Sequence, residues 1–125
     1  MKTNYDLAGR VIGAAMEVHR CLGPGFVESV YENALIIELE TLKFEAERQK
    51  PIEVKYKEQC VGNFVADLVV DQTLIIELKA VQSILPIHEV QLVNYLTATG
   101  IDEGVLLNFG SESLQFKKKF RKPKQ

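Results

Sequence analysis

Tryptophan is absent from this sequence, and only two cysteines and two histidines occur among its 125 residues. Cys21 and Cys60 stand far apart, with no metal-ligand spacing around them, in a chain long enough to build its own core. A disulfide scaffold and a zinc site are therefore not expected, and both thiols are read as reduced and partly buried. Long apolar runs are missing too. The longest near the start, Val11 to Met16, is bracketed by Arg10 and Glu17. Neither a secretory leader nor a membrane span is expected, which leaves a cytoplasmic location as the default. Repeats and low-complexity linkers are also lacking, so residues 1–125 are expected to form a single domain.

What is present supports such a domain. Apolar residues make up 46% and charged residues 26%, the proportions of a chain that can bury a core. The formal charge of −2 conceals an asymmetry. Six of the fifteen basic residues crowd into the C-terminal stretch: Lys117, Lys118, Lys119, Arg121, Lys122 and Lys124. The other nine face seventeen acidic residues. The body is thus acidic, while the tail, residues 117–125, is basic and suited to following a nucleic-acid backbone.

Helical spacing predicts a helix over residues 5–22, capped by Asn4 or Asp6 and ended by Gly23 and Pro24. Gly9 and Gly13 lie one above the other on it and would admit a close helix contact, within the chain or across a homodimer. His19 beside Ala15 reads as an interface histidine. A second helix is expected over 26–42, with Val27, Val30, Tyr31, Ala34, Leu35 and Leu39 as its apolar stripe. Glu28 sits in its first turn, where the helix dipole favours a carboxylate. The same residue can also serve as a ligand aimed at a sheet.

Residues 44–56 read as an outer strand in two pieces, broken at Pro51. A third helix is expected over 87–99, ended by Gly100. Val90, Leu92, Val93 and Leu96 supply its apolar contacts. His88, Gln91 and Tyr95 fall on one stripe of it. Gln91 and Tyr95 can donate hydrogen bonds to a phosphate or to water, or can simply form a solvated face. Residues 104–109 read as a strand buried on both faces, and 114–120 as a short basic strand or tail.

The central stretch runs Phe64-Val65-Ala66-Asp67-Leu68-Val69-Val70, then Asp71-Gln72-Thr73, then Leu74-Ile75-Ile76-Glu77-Leu78-Lys79-Ala80. Two runs rich in β-branched residues around a polar break signal a hairpin, with Gly62 and Asn63 leading into it. A two-residue loop would set Asp67 opposite Ile76, and a three-residue loop would set it opposite Glu77. The second register gathers Asp67, Glu77 and Lys79 on one face, among Val65, Val69 and Ile75. It leaves Phe64, Ala66, Leu68, Val70, Leu74, Ile76 and Leu78 on an apolar face. Two carboxylates and a lysine on a half-buried face must be paired or must bind a cation. One reading is a salt bridge within the sheet. The other is a divalent metal between the carboxylates with Lys79 beside a water, the skeleton of metal-assisted phosphodiester hydrolysis.

These residues resemble a known family. Gly25-Phe26-Val27-Glu28-Ser29-Val30-Tyr31 fits the motif of the GxxExxY proteins, preceded by the similar segment Glu17-Val18-His19 and Leu22-Gly23-Pro24-Gly25. Asp67 followed by Glu77-Leu78-Lys79 resembles the signature of the PD-(D/E)xK nuclease superfamily, although Ala66 stands where the name has proline. Gln91-Leu92-Val93-Asn94-Tyr95 is similar to the QxxxY helix of its exonuclease-like branch. The likeness runs from about Leu7 to Phe120.

It implies an α/β protein with a restriction-endonuclease-like core. That core is a mixed β-sheet flanked by helices in the order α-β-β-β-α-β, with an extra N-terminal helix. It further implies Mg²⁺ or Mn²⁺ held by Asp67, Glu77 and the Leu78 carbonyl, and Lys79 near the attacking water. Glu28 is an additional carboxylate in this picture, and Gln91 and Tyr95 line the substrate groove. The expected function is metal-dependent hydrolysis of DNA. The alternative is a nucleic-acid-binding or protein-interaction module on the same fold without turnover, for which Phe116 and Phe120 among the lysines of the tail would be stacking platforms.

Overall fold

The computed structural model describes residues 6–121. Its elements follow in the order α1 (Leu7–Leu22), α2 (Glu28–Thr41), β1 (Ala46–Tyr56), β2 (Gln59–Val70), β3 (Leu74–Lys79), α3 (Pro86–Thr99), β4 (Glu103–Asn108) and β5 (Gln115–Phe120). The five strands form one sheet in sequence order. β3 and β4 are parallel, bridged by α3, and every other neighbouring pair is antiparallel. This is the mixed sheet flanked by helices that the resemblance implied.

The two faces of the sheet carry separate cores. Val11, Ala15 and Val18 of α1 and Tyr31, Leu35 and Leu39 of α2 pack on Leu68, Val70, Leu74, Ile76, Leu78, Val105 and Leu107. On the other side Leu92, Tyr95 and Leu96 of α3 pack on Ile52, Ala66, Val69, Ile75 and Leu106. The strands between them are buried on both faces. β3 and β4 therefore read as nearly continuous apolar runs instead of alternating ones.

Local chemistry accounts for most element ends. The Asp6 carboxylate caps α1 by accepting from Gly9 N at 2.9 Å. Gly100, at φ 75°, closes α3. The β2–β3 connection is the three-residue loop Asp71-Gln72-Thr73. Asp71 and Gln72 have positive φ, and Thr73 N donates to Val70 O at 3.0 Å. The pairs Val70↔Leu74, Val69↔Ile75 and Leu68↔Ile76 follow, so the register points Asp67 toward Glu77.

Several expectations are corrected. Pro51 does not break β1, because it lies on an edge strand where a missing N–H need cost no ladder bond. β2 starts at Gln59, before Gly62. The two-residue turn Lys57-Glu58 precedes it with both φ positive, a conformation its side chains do not advertise. Phe64 and Ala66 do not share a face with Leu68. Ala66 packs in the α3 core, and the Phe64 ring lies 5.6 Å from that of Tyr95.

Val27, at the start of α2, and Val90 of α3 are exposed rather than packed. Both cysteines are exposed. Residues 115–120 are an edge strand, not a tail. Lys119 and Arg121 at its end are ion-paired with Glu89 and Asp102, at 3.0 and 2.6 Å. Lys122 and Lys124 lie outside the described residues, as does Asn4. Among the described residues no helix is long and apolar enough to cross a membrane.

Gly13 of α1 receives no neighbouring backbone within the described chain. The nearest atoms to a Cβ at Gly9 would be those of the Asp6 cap, and one at Gly13 would meet nothing within 4 Å. Gly13→Ala should therefore stabilise the protein by about 0.5–1 kcal/mol through helix propensity alone. Urea denaturation would show this as a higher midpoint at unchanged slope. Destabilisation instead would mean that a partner helix packs at Gly13. His19 is buried as an internal contact: its Nε2 donates to Ser111 O at 2.9 Å, and its ring lies 6.3 Å from that of Phe109.

Candidate active site

The β2–β3 ladder stops one residue short of its charges. Its last regular pair is Leu68↔Ile76. Beyond that point β2 continues against β1, whereas β3 continues against β4 as Glu77↔Leu106, Leu78↔Leu107 and Lys79↔Asn108. The sheet forks there. Two side chains take over the main-chain bonds the fork leaves open. Asp67 N donates to Glu77 Oε2 at 3.0 Å, and Leu78 N donates to Asp67 Oδ2 at 2.8 Å. Each acid thus bonds the other's strand, and backbone N–H groups fix both carboxylates.

A fault in β1 faces the same spot. Regular pairing runs Arg48↔Leu68 and resumes at Lys50↔Ala66, skipping Gln49 and Asp67. Gln49 has φ 50°, a left-handed conformation that turns the strand. The ribbon changes face across this point. Arg48 reaches α2, where Nε donates to Glu32 Oε2 at 3.1 Å, while Ala66, opposite Lys50, packs toward α3. Gln49 Nε2 donates to Glu32 Oε1 at 3.0 Å. Glu32 is consequently buried in α2 with both oxygens bonded. Glu32, Arg48 and Gln49 were not singled out from the sequence. The available signal was Glu32 one turn beyond Glu28 on the same helix face.

Burial sets the electrostatics. Glu77, only 7% exposed, is pushed up to about 8, by desolvation first and then by the Asp67 charge; the Asp67 N–H and Lys79 pull it down by less, and Glu28 adds a small upward push. Asp67 is also raised, mainly by burial and then by Glu32, against the pull of the Leu78 N–H, Lys79 and the Gln49 amide. The buried Tyr95 phenol is raised by burial and by the charges of Glu77 and Asp67. A buried carboxyl held protonated beside a second raised carboxyl marks a place where added positive charge is favoured.

The structure therefore brings Asp67, Glu77 and the Leu78 backbone together, with Lys79 close enough for its charge to act on both acids. Glu28, exposed in the first turn of α2, lies near enough for its charge to be felt by Glu77. Tyr95, on α3, lies near enough for both acids' charges to act on its phenol. Gln91 is exposed one turn earlier, on a groove beside them. His88 is drawn away from that stripe: its Nδ1 accepts from Leu85 N at 3.0 Å at the start of α3.

Among the described residues no three His, Cys, Asp or Glu side chains are grouped closely enough to hold a metal by themselves. Two carboxylates with a main-chain carbonyl nonetheless form the hard-oxygen donor set that Mg²⁺ and Mn²⁺ take with water. The raised Glu77 carboxyl gives such a cation a reason to bind. The donor set fits the group.

A connector supports the C-terminal side of the site. Buried Asn108, beside Lys79 in the sheet, accepts at Oδ1 from Val81 N and Gly110 N, and Nδ2 donates to Gln115 Oε1. A Cβ at Gly110 would stand 2.2 Å from Val81 O, so the chain after Lys79 is clamped against a residue that only glycine can occupy.

Fold and site together define a restriction-endonuclease-like α/β protein: a mixed sheet whose fork presents paired acids and a lysine. The same architecture occurs in the crystal structure of SSO0001, with a TM-score of 0.61 at 18% identity over 77% of this chain. The chain spans half the length of that protein. No curated protein matches the sequence. The sequence profile of the PD-(D/E)XK nuclease superfamily matches residues 5–122, and the chain belongs to that superfamily. Nucleases of that superfamily generally use divalent metal ions.

Proposed function

We propose that this protein is a Mg²⁺- or Mn²⁺-dependent nuclease that hydrolyses phosphodiester bonds of DNA at the Asp67–Glu77–Lys79 fork. The observation that carries the reading is the pair of N–H-oriented carboxylates, both raised by burial, at the point where β2 and β3 separate. Asp67, Glu77 and the Leu78 carbonyl would hold the cation. When bound, it supplies charge neutralisation and Lewis-acid activation of water and phosphate.

The chain's own groups account for the rest. Lys79 neighbours both acids, where its ammonium can orient a water and offset charge building on the phosphoryl oxygens. Glu28, whose charge reaches Glu77, is a second position from which a water can be held. Tyr95, protonated at neutral pH, and Gln91 offer hydrogen-bond donors to the substrate along α3.

Calorimetric titration tests the cation site before any substrate is chosen. The wild type should bind Mn²⁺ with release of protons below pH 8, because Glu77 must ionise. Asp67→Asn should bind at least about tenfold more weakly. Equal binding by both proteins would leave the acids as a structural pair and favour a module without turnover.

A further inference from the structure

Beside the fork lies a groove of about 780 Å³ between α3 and the outer part of the β1–β2 hairpin. Its floor is aromatic: Phe64, 44% exposed, is tilted against Tyr95 with ring centroids 5.6 Å apart. Ile87 and Val90, both more than half exposed, form the α3 wall. The amides of Gln91 and Asn94 stand on the same helix face. The two charged lining residues, Glu53 and Lys55, pair with each other at 3.6 Å, so the groove offers no net charge to an anion. A flat, neutral, hydrogen-bonding ligand fits this lining, and a phosphate does not. Tyr95 joins the groove to the acids, since its phenol senses the charge of both.

We propose that the groove receives an unpaired nucleobase stacked on Phe64, with Gln91 and Asn94 meeting its polar edge, so that the substrate is single-stranded or frayed nucleic acid rather than closed duplex. This rests on the nuclease reading of the adjoining fork. A base held inside a duplex keeps its faces stacked on its neighbours and cannot enter; a single strand presents them. Stacking accepts any base, so the groove selects strandedness more than sequence.

The test uses a single-stranded oligonucleotide containing 2-aminopurine, bound in Ca²⁺ so that binding is read apart from cleavage. The wild type should quench the probe, and a covalently closed circular duplex should compete at least about tenfold less well per nucleotide. Phe64→Ala should bind about tenfold more weakly, whereas Phe64→Tyr, which keeps the stacking face, should stay within about twofold. If circular dichroism shows Phe64→Ala to be unfolded, Val90→Asp on the exposed wall replaces it with the same expectation.

Unquenched probe, undiminished binding by the folded variant, or equal competition by closed duplex would each overturn the proposal. Cleavage in Mg²⁺ separates the two readings. Quenching without cleavage removes the nuclease and keeps the base subsite, and cleavage without quenching does the reverse.

Discussion

Asp67→Asn should lose DNA cleavage by about 100-fold or more in Mg²⁺ or Mn²⁺ while keeping the wild-type fold. The substitution is nearly isosteric. Its oxygen can still accept the Leu78 N–H that now bonds Oδ2 at 2.8 Å, so the fork need not open. What it removes is one of two carboxylate charges at the fork. Glu77→Gln should have a comparable effect on turnover, because the Asp67 N–H can donate to the amide oxygen. The double variant should be little worse than either single one, since both act through one site. Far-ultraviolet dichroism and a cleavage assay on the purified proteins check this. Cleavage by Asp67→Asn within a few-fold of wild type would remove the acids from the chemistry.

The metal-free protein should lose stability as pH rises, and Glu77 should be responsible. Its carboxyl titrates near 4.5 in the unfolded chain and at about 8 in the native state. Between those values the native protein binds the extra proton, so raising pH favours unfolding. The favourable contribution is full below pH 4.5, declines through neutrality and is exhausted above pH 8. Asp67 is shifted in the same direction and adds to the trend.

Comparison with Glu77→Gln isolates the effect, because the other titrating groups cancel. The variant should match wild type near pH 4.5 and exceed it at pH 7 by up to about 3 kcal/mol. Denaturant midpoints at the two pH values, with a chelator present, supply the measurement. Adding Mg²⁺ at pH 8 should then stabilise wild type and leave Glu77→Gln unmoved. A gap of the same size at both pH values would show that Glu77 is not held protonated by its surroundings.

How far the site could be read in advance differs from residue to residue. The loop Asp71-Gln72-Thr73 was legible because segregating three charges from seven apolar positions required an odd connection, and the register has it. The apolar face drawn from that rule was right from Leu68 to Leu78 and wrong at Phe64 and Ala66. Strict alternation assumes an unbroken ladder. The left-handed Gln49 and the skipped pair at Asp67 break it on two strands at once. Nothing at Lys57-Glu58 resembles the Asn-Gly of a tight turn, so no local signal marks the start of β2 at Gln59, ahead of Gly62 and Asn63. Arg48 and Gln49 carry no local signal of a role in the site, since their partner Glu32 lies sixteen and seventeen residues away on another element.

Order and type of the secondary elements, the hairpin pairing and the identity of the charged side chains near its end follow from the sequence by itself. They rest on periods of two and of about three and a half residues and on turn residues, all of which act between near neighbours. Only the tertiary structure decided that the sheet forks at Asp67, that Glu32 is buried against Arg48, and that an aromatic groove opens beside the acids. It also decided the protonation of Glu77. Desolvation comes from burial by elements distant in sequence, and no window along the chain contains it.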